Sequence, residues 1–217
     1  GFLEAIRDLC TKKGIVLIFD ECSSGFRETF GGLHLKYGVN PDLAMFGKAL
    51  GNGYAITSII GRSAIMEAAQ NTFISSTFWT ERIGPAAAIK TLEVMEREQS
   101  WTVITELGRY MQDSWQKLAD EHSLSISISG IPALTSFAFD SPQNLSYKTL
   151  ITQEMLKQGY LASNIFYPSI AHSKGLIDRY ISDLRPVFEL IAHCEEGTSI
   201  EDLLESPVCH STFSSLN

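Results

Sequence analysis

The stretch Gly14-Ile15-Val16-Leu17-Ile18-Phe19-Asp20 decides the fold of this chain, because its middle is an unbroken run of apolar, mostly branched residues. Such a run, bounded by glycine and aspartate, is typical of a short strand that is buried on both faces of a parallel sheet. We therefore predict a strand over Ile15 to Phe19. Asp20 then lies at the carboxyl end of this strand, where open α/β sheets bind their ligands.

A second strand is predicted over Leu43 to Phe46, within Asn40-Pro-Asp-Leu-Ala-Met-Phe-Gly-Lys-Ala-Leu-Gly-Asn-Gly53. The intervening chain is long enough for the crossover that parallel strands require. Lys48 follows this strand closely, so we expect it at the same edge of the sheet as Asp20. A carboxylate and an amine that are distant in sequence would then face one ligand.

The motifs around these two strands, together with later segments, resemble one enzyme family. They are, in chain order, Asp20-Glu-Cys-Ser-Ser-Gly-Phe-Arg27, Asn40-Pro-Asp42, Gly47-Lys48-x-x-Gly-Asn-Gly53, Ile59-Ile-Gly-Arg62, Ser75-Ser-Thr-Phe-Trp79, Ala171-His172-Ser173 and Ile177-Asp178-Arg179. Taken in this order, they resemble the class-III pyridoxal-phosphate aminotransferases, most closely the branch of glutamate-1-semialdehyde 2,1-aminomutase. The resemblance implies an α/β, fold-type I structure with a mixed, mostly parallel sheet in a large domain and a small C-terminal α/β domain.

The resemblance implies roles for three residues near the two strands. Lys48 would form a Schiff base with the aldehyde of pyridoxal 5'-phosphate and would later transfer protons as a free amine. Asp20 would pair with the pyridine nitrogen and keep it protonated, which makes the ring a better electron sink. Cys22 stands where the similar enzymes usually have a branched apolar residue against the cofactor ring, and it is small and apolar enough to substitute.

The resemblance also implies that Thr77 offers its hydroxyl to the cofactor phosphate in the site of a neighbouring subunit, so we expect a homodimer. Ser76 is a rival for this role. A helix is predicted from about Gly84 to Glu98, and free backbone amides near its start would favour the same anion.

Three other polar residues have less defined roles. Glu21 is interpreted as a structural carboxylate that holds nearby backbone amides. Arg27 could bind a substrate carboxylate through two parallel hydrogen bonds or form an internal ion pair. His172 is interpreted as a histidine whose hydrogen bonds are satisfied near the start of a helix, without a chemical role.

Composition and charge limit the other classes of function. The 217 residues carry a net charge of −8, which argues against nonspecific nucleic-acid binding. No stretch is long and apolar enough to span a membrane, and we expect a cytoplasmic protein. The four cysteines have no C-x-x-C spacing, so reduced thiols are expected rather than disulfides or a metal site.

We expect two domains and a missing first half. Residues 1–98 would complete the large, cofactor-binding domain, and residues 99–217 would form the small one. The family's phosphate loop and the aromatic residue that stacks on the cofactor lie upstream of the aspartate strand. The chain is therefore interpreted as the C-terminal half of a longer protein.

Amino-group transfer between a small-molecule donor and a carbonyl acceptor is the leading prediction. Intramolecular transfer, as in the aminomutase, is one alternative, and a noncatalytic scaffold is another. A P-loop ATPase is a remote one, because its motif needs G-x-x-x-x-G-K-S/T. Here Ala49 follows Lys48, and Asp42 stands where the first glycine belongs.

Overall fold

The computed structural model describes residues 1–211, which divide into two compact units, Gly1–Val103 and the residues from Ile104 onward. The elements that begin in the first unit are helices α1 (Phe2–Lys13), α2 (His34–Tyr37), α3 (Ser63–Met66), α4 (Ile83–Glu98) and α5 (Ser100–Glu121), and strands β1 (Ile18–Asp20), β2 (Leu43–Phe46) and β3 (Ser58–Gly61). The second unit contains β4 (Ile126–Ser129), β5 (Thr135–Phe139), α6 (Asn144–Lys157), β6 (Ile165–Phe166) and α7 (Lys174–Glu195). Within the described residues, every helix is too short or too polar to cross a membrane.

The sheet of the first unit has the strand order β1-β2-β3. Strands β1 and β2 are parallel, and Asp20 lies opposite Met45, whereas β3 is antiparallel to β2. The predicted strand over Leu43 to Phe46 and its parallel pairing are thus confirmed. The carboxyl ends of β1 and β2 form one edge, which we call the carboxyl edge.

The prediction for the first strand is wrong in two respects. The strand begins at Ile18 rather than Ile15, because the amide of Leu17 donates to the Asp42 carboxylate at 2.8 Å. Burial on both faces is also not observed, since Ile15 and Ile18 are 54% and 50% exposed. Among the described strands β1 is at the edge of the sheet, so apolar residues that the pattern assigns to a core remain exposed.

A small apolar core lies between the sheet and α4. Its buried members are Ala44, Phe46, Leu50 and Ala88, and Phe26, Ile56 and Leu92 pack against it. Gly25 approaches this core so closely that a Cβ there would lie 2.7 Å from the Phe46 ring. This contact fixes the loop that follows β1 against β2.

Asp42 ties the N-terminal helix to the sheet. Its carboxylate accepts hydrogen bonds from Arg7 at 2.9 Å and from Arg62 at 2.8 Å, in addition to the Leu17 amide. The pKa of Asp42 is held far below its usual range by the Leu17 amide, then by Arg62 and Arg7. The carboxylate therefore stays ionised and links α1, the start of β1 and the end of β3.

The second unit is built on an antiparallel sheet in the order β4-β5-β6. The sequence predicts a strand over Ile131 to Phe139, but the strand begins only at Thr135, because Pro132–Leu134 form a 3-10 turn. It also predicts a helix from about Ser146 to Gln158, which corresponds to α6. Strand β4 was not predicted.

Aromatic side chains fill the core of the second unit. Trp115 of α5 is fully buried, and its ring centroid lies 4.8 Å from that of Phe137. Phe188 of α7 lies against Phe139, with centroids 5.4 Å apart. The helical spacing of Trp101 and Trp115 with the apolar residues between them predicts that the tryptophans are packing residues, and the burial of Trp115 agrees with this. Pro186 predicts a kink or a local break in the last helix, but α7 continues through Pro186 without a break.

Candidate active site

Asp20 is the last residue of β1 and lies exposed at the carboxyl edge. Its Oδ1 accepts a hydrogen bond from the Cys22 amide at 3.0 Å. This bond, then the Cys22 thiol and the charge of Lys48, holds the pKa of Asp20 below its ordinary value. The carboxylate is therefore ionised near neutral pH and presents a negative charge at the strand end.

Glu21, the next residue, anchors the loop over residues 21–27. Its buried carboxylate accepts from the amides of Leu33 and His34, both at 2.9 Å, and from the Ser24 hydroxyl, and it pairs with the His34 ring at 3.0 Å. Burial alone would raise the pKa of Glu21, but these bonds outweigh burial and lower it. This geometry agrees with the interpretation of Glu21 as a structural carboxylate.

Lys48 follows β2 and begins a 3-10 turn, Lys48–Leu50. Its φ of +42° lies in the left-handed region, which is uncommon for a residue with a side chain. Its carbonyl accepts from the amides of Gly51 at 3.2 Å and Asn52 at 3.1 Å. The side chain is exposed, and Nζ donates a hydrogen bond to Ser23 Oγ. Unusual backbone geometry of this kind concentrates at functional sites.

Cys22 lies beside these two residues. Cys22 and Thr57 both lie close to Gly47. A Cβ built at Gly47 would lie 3.6 Å from Cys22 Sγ and 3.5 Å from the Thr57 methyl group. The pKa of the Cys22 thiol is raised by its hydrogen bond to Asp20, then by burial. A neutral thiol is a small apolar group, so the structure brings an anion, an amine and an apolar surface together at the carboxyl edge.

Thr77 is not part of this cluster. It lies in an exposed segment, residues 72–80, between α3 and α4. Within the described part of the chain, no hydrogen bond joins Thr77 to Asp20, Cys22 or Lys48. A role for Thr77 at the same site of the same chain therefore has no support in this geometry.

The first amides of α4 are not free, contrary to the expectation of an anion site there. The Glu81 carboxylate accepts hydrogen bonds from the amide of Ile83 at 2.5 Å and from that of Gly84 at 3.2 Å. A carboxylate in this position already satisfies the donors and complements the positive end of the helix. An incoming phosphate would have to displace it.

Arg27 and His172 have internal partners. The Nε of Arg27 donates to the carbonyl of Ser23 at 3.3 Å, within the loop. In the second unit, His172 Nδ1 accepts from the Ser169 amide at 3.0 Å, and its ring stands edge-on to Phe166. This agrees with the interpretation of His172 as a satisfied histidine near a helix start.

Three residues of structural importance at or near the site escaped the sequence analysis. Ser23 contacts Lys48, Asp42 fixes the start of β1, and Glu81 caps α4. The residue directly before α4 is Arg82, which is not a usual N-cap residue, so the cap by Glu81 has no standard signal in the sequence. The other two contacts depend on the path of the chain, and no local pattern reveals them.

The four cysteines are free thiols in the structure. Among residues 1–211, no group of three or more histidine, cysteine or carboxylate side chains is arranged to hold a metal ion.

Known sequences that are similar to this chain include an aminotransferase and an aminomutase. Over 154 residues the chain is 39% identical to 3-aminobutyryl-CoA aminotransferase of Cloacimonas acidaminovorans. This alignment covers 70% of this chain and 37% of that protein. Over 153 residues the chain is 35% identical to glutamate-1-semialdehyde 2,1-aminomutase 2 of Lachnoclostridium phytofermentans, covering 69% of this chain and 36% of that protein. The chain thus spans less than half the length of these two relatives.

Solved structures match the fold. The FumI protein of Sphingopyxis sp. MTA144, in its pyridoxal-phosphate internal aldimine form, matches 94% of this chain with a TM-score of 0.83 at 21% identity. An omega-transaminase from Sphaerobacter thermophilus matches 88% with a TM-score of 0.79 at 18% identity. The alignments cover 50% and 48% of those chains. The expected fold-type I architecture is confirmed for the part that this chain spans.

A model of one family, aminotransferase class-III, matches residues 1–177. This range includes both strands of the carboxyl edge, the cluster of Asp20, Cys22 and Lys48, and most of the second unit. The sequence relatives, the fold and the family match therefore agree, and the chain belongs to the class-III aminotransferase family.

Proposed function

We propose that the protein transfers an amino group from a small-molecule donor to a carbonyl acceptor with pyridoxal phosphate, held covalently by Lys48. The observation that supports this most strongly is the parallel pairing of β1 and β2, because it places the Asp20 carboxylate and the Lys48 amine at one edge. The membership of the class-III family and the pyridoxal-phosphate-bound structures that match the fold support the choice of cofactor.

The residues at the carboxyl edge fit this cofactor. An ionised carboxylate, Asp20, suits a protonated pyridine nitrogen, and the exposed amine of Lys48 suits an aldehyde. Cys22, with its neutral thiol beside Gly47, offers a small apolar surface for a ring. The ring nitrogen, the aldehyde and one face of the ring thus have complementary groups here, and the phosphate requires donors outside this cluster.

The chain's own residues would then divide the chemistry. When bound, pyridoxal phosphate supplies a carbon that accepts the amino group and a ring that withdraws electrons from the reacting carbon. Lys48 Nζ, as a free amine, would take the proton from the donor's carbon and give it to the cofactor carbon that accepts the amino group. The Asp20 carboxylate would hold a proton on the ring nitrogen. The Cys22 amide, which donates to Asp20, and the Glu21 carboxylate, which accepts from the Leu33 amide, hold the loop that follows Asp20 in place.

Transfer between two molecules is our preferred reaction over transfer within one molecule. The relative at 39% identity is named as an aminotransferase and the one at 35% as an aminomutase, so the family includes both. The two reactions differ in their substrates, because transfer between molecules needs both a donor amine and a separate acceptor. Intramolecular transfer would interconvert two isomers without any second substrate.

We place Thr77 at the cofactor phosphate of a second copy, in a homodimer. The segment around it exposes large apolar side chains, since Phe73, Phe78 and Trp79 are 96%, 75% and 65% exposed. Side chains of this kind are usually covered by an interface. A second copy that covers them would receive the Thr77 hydroxyl in its own site.

An amino-transfer assay with the protein at full length tests this function. With pyridoxal phosphate, an amine donor and a keto-acid acceptor, we expect the acceptor to be aminated, and Lys48→Ala to lower turnover by roughly 10³-fold or more. Lys12→Ala, an exposed lysine on α1, should leave turnover unchanged. Absence of transfer from every donor, with isomerisation of an amino aldehyde instead, would establish the intramolecular reaction. Absence of both would favour a noncatalytic scaffold.

A further inference from the structure

Ser23 is the hydrogen-bond partner of the Lys48 amine, and the loop that bears it is unusually well fixed. Gly25, two residues later, donates its amide to the Glu21 carbonyl at 2.8 Å and has no room for a Cβ beside Phe46. The Ser23 carbonyl in turn accepts from Arg27. The backbone position of Ser23, from which the hydroxyl reaches Lys48, is therefore set by the fold.

The backbone of Lys48 is equally constrained. Its left-handed φ and the two hydrogen bonds to its carbonyl direct the side chain from the start of a 3-10 turn toward the β1 loop. The four-carbon side chain of lysine rotates about several bonds, so without a partner the amine would sample many positions. One hydrogen bond from Nζ to Ser23 Oγ selects among them.

We propose that Ser23 is a positioning residue that holds the free Lys48 amine at the carboxyl edge in the steps when it is not bonded to the cofactor. This rests on the proposed function, in which the released amine transfers a proton. A proton transfer needs the amine within hydrogen-bond reach of the reacting carbon, and misplacement costs rate rather than binding.

The first test measures Lys48 itself in the cofactor-free protein at full length. Acetic anhydride at low concentration acetylates only neutral amines, and peptide mass spectrometry gives the rate at Lys48 alone. Removing the acceptor in Ser23→Ala should increase this rate about threefold or more, because the amine is then no longer held against Ser23 and meets the reagent more often. Ser23→Thr keeps a hydroxyl and should retain the wild-type rate.

Ser63→Ala is the matched control, because Ser63 is exposed in the same unit and makes no side-chain hydrogen bond within the described residues. An unchanged acetylation rate at Lys48 in Ser23→Ala would overturn the proposal. Circular dichroism of each variant separates this result from a loss of folding.

The second test uses the assembled enzyme. Ser23→Ala should lower kcat about tenfold and change KM little, and Ser23→Thr should restore kcat. A rise in KM with unchanged kcat would contradict a role in proton transfer. The acetylation test needs no cofactor, so it reports on the Ser23–Lys48 contact even if trapping experiments show that Lys48 does not hold pyridoxal phosphate.

Discussion

At the residue scale, Asp20 supplies the fixed negative charge of the carboxyl edge. Asp20→Asn preserves the shape of this side chain and removes its charge. If Asp20 has the proposed role, kcat should fall roughly 10²-fold or more, whereas affinity for pyridoxal phosphate should fall less than tenfold, because the charge would act mainly on the ring during reaction. Steady-state kinetics and cofactor titration measure the two effects. Asp20→Glu should recover part of kcat, and a loss confined to cofactor affinity would contradict this role.

Asp42 predicts a pH dependence of stability at the same scale. Its folded pKa lies below its unfolded value, so its contribution is complete above the unfolded pKa of about 3.9 and is lost as the pH falls. Asp42→Asn should lower the Tm by several degrees near neutral pH. The difference from wild type should shrink as the pH falls below about 4.

Calorimetry at a series of pH values measures this difference. Asp8→Asn, an exposed carboxylate on α1, is the control and should leave the Tm unchanged throughout. A difference for Asp42→Asn that stays constant down to the lowest pH would show that the ionised form is not what stabilises the fold.

The position of Asp20 and Lys48 at one edge of the sheet could be inferred from the sequence, because both residues follow apolar strands. Their roles toward a cofactor stay predictions. The contact of Lys48 with Ser23 could not, because it depends on a left-handed residue and on a loop fixed by Glu21 and Gly25. Thr77 was assigned by resemblance only, and no contact in the described chain tests its role.

At the element scale, the close approach of α5 to the turn before β5 predicts a strong effect at Gly108. A Cβ at this position would lie 1.9 Å from the Pro132 carbonyl oxygen, a rigid backbone atom. Gly108→Ala should therefore destabilise the protein by about 2 kcal/mol, despite the higher helix propensity of alanine.

Gly175→Ala is the comparison for this prediction, since nothing lies within 4 Å of a Cβ at Gly175 in α7. Its effect should be within about 0.5 kcal/mol of zero. Urea denaturation of the two variants gives both values. Equal stability of the two would mean that α5 does not approach Pro132 as closely as described.

The bounds of helices and strands could be predicted only where the local sequence pattern is clear. Helix α4 and strand β2 agree with their predictions because each has a clear apolar pattern and a defined end. The first strand starts late because a long-range hydrogen bond from Leu17 to Asp42 replaces pairing. Strand β4 alternates isoleucine with serine over only four residues, too short a pattern to separate it from a loop.

At the scale of the whole molecule, the proposed homodimer gives a complementation test for Thr77. The Lys48→Ala subunit lacks the amine but still has Thr77 for its partner's site. The Thr77→Ala subunit has the amine but no Thr77 hydroxyl for its partner. If Thr77 serves the partner's site, random mixing of the two inactive variants should restore about a quarter of wild-type activity, since half of the dimers have one complete site.

Mixing requires exchange of subunits, which sedimentation or mild denaturation and refolding can establish. Thr77→Ala mixed with itself should stay at its own low activity. Mixtures that remain inactive although mixed dimers form would contradict a shared site, and Ser76→Ala in place of Thr77→Ala tests the rival hydroxyl.

The central claim is that Lys48 anchors pyridoxal phosphate, and borohydride reduction tests it most directly. The protein at full length is incubated with the cofactor, reduced and digested, and the modified peptide is identified by mass spectrometry. We predict a single phosphopyridoxyl group on Lys48, which Lys48→Ala loses and Asp20→Asn retains. Modification spread over exposed lysines such as Lys12 and Lys90, equal in wild type and Lys48→Ala, would contradict the claim.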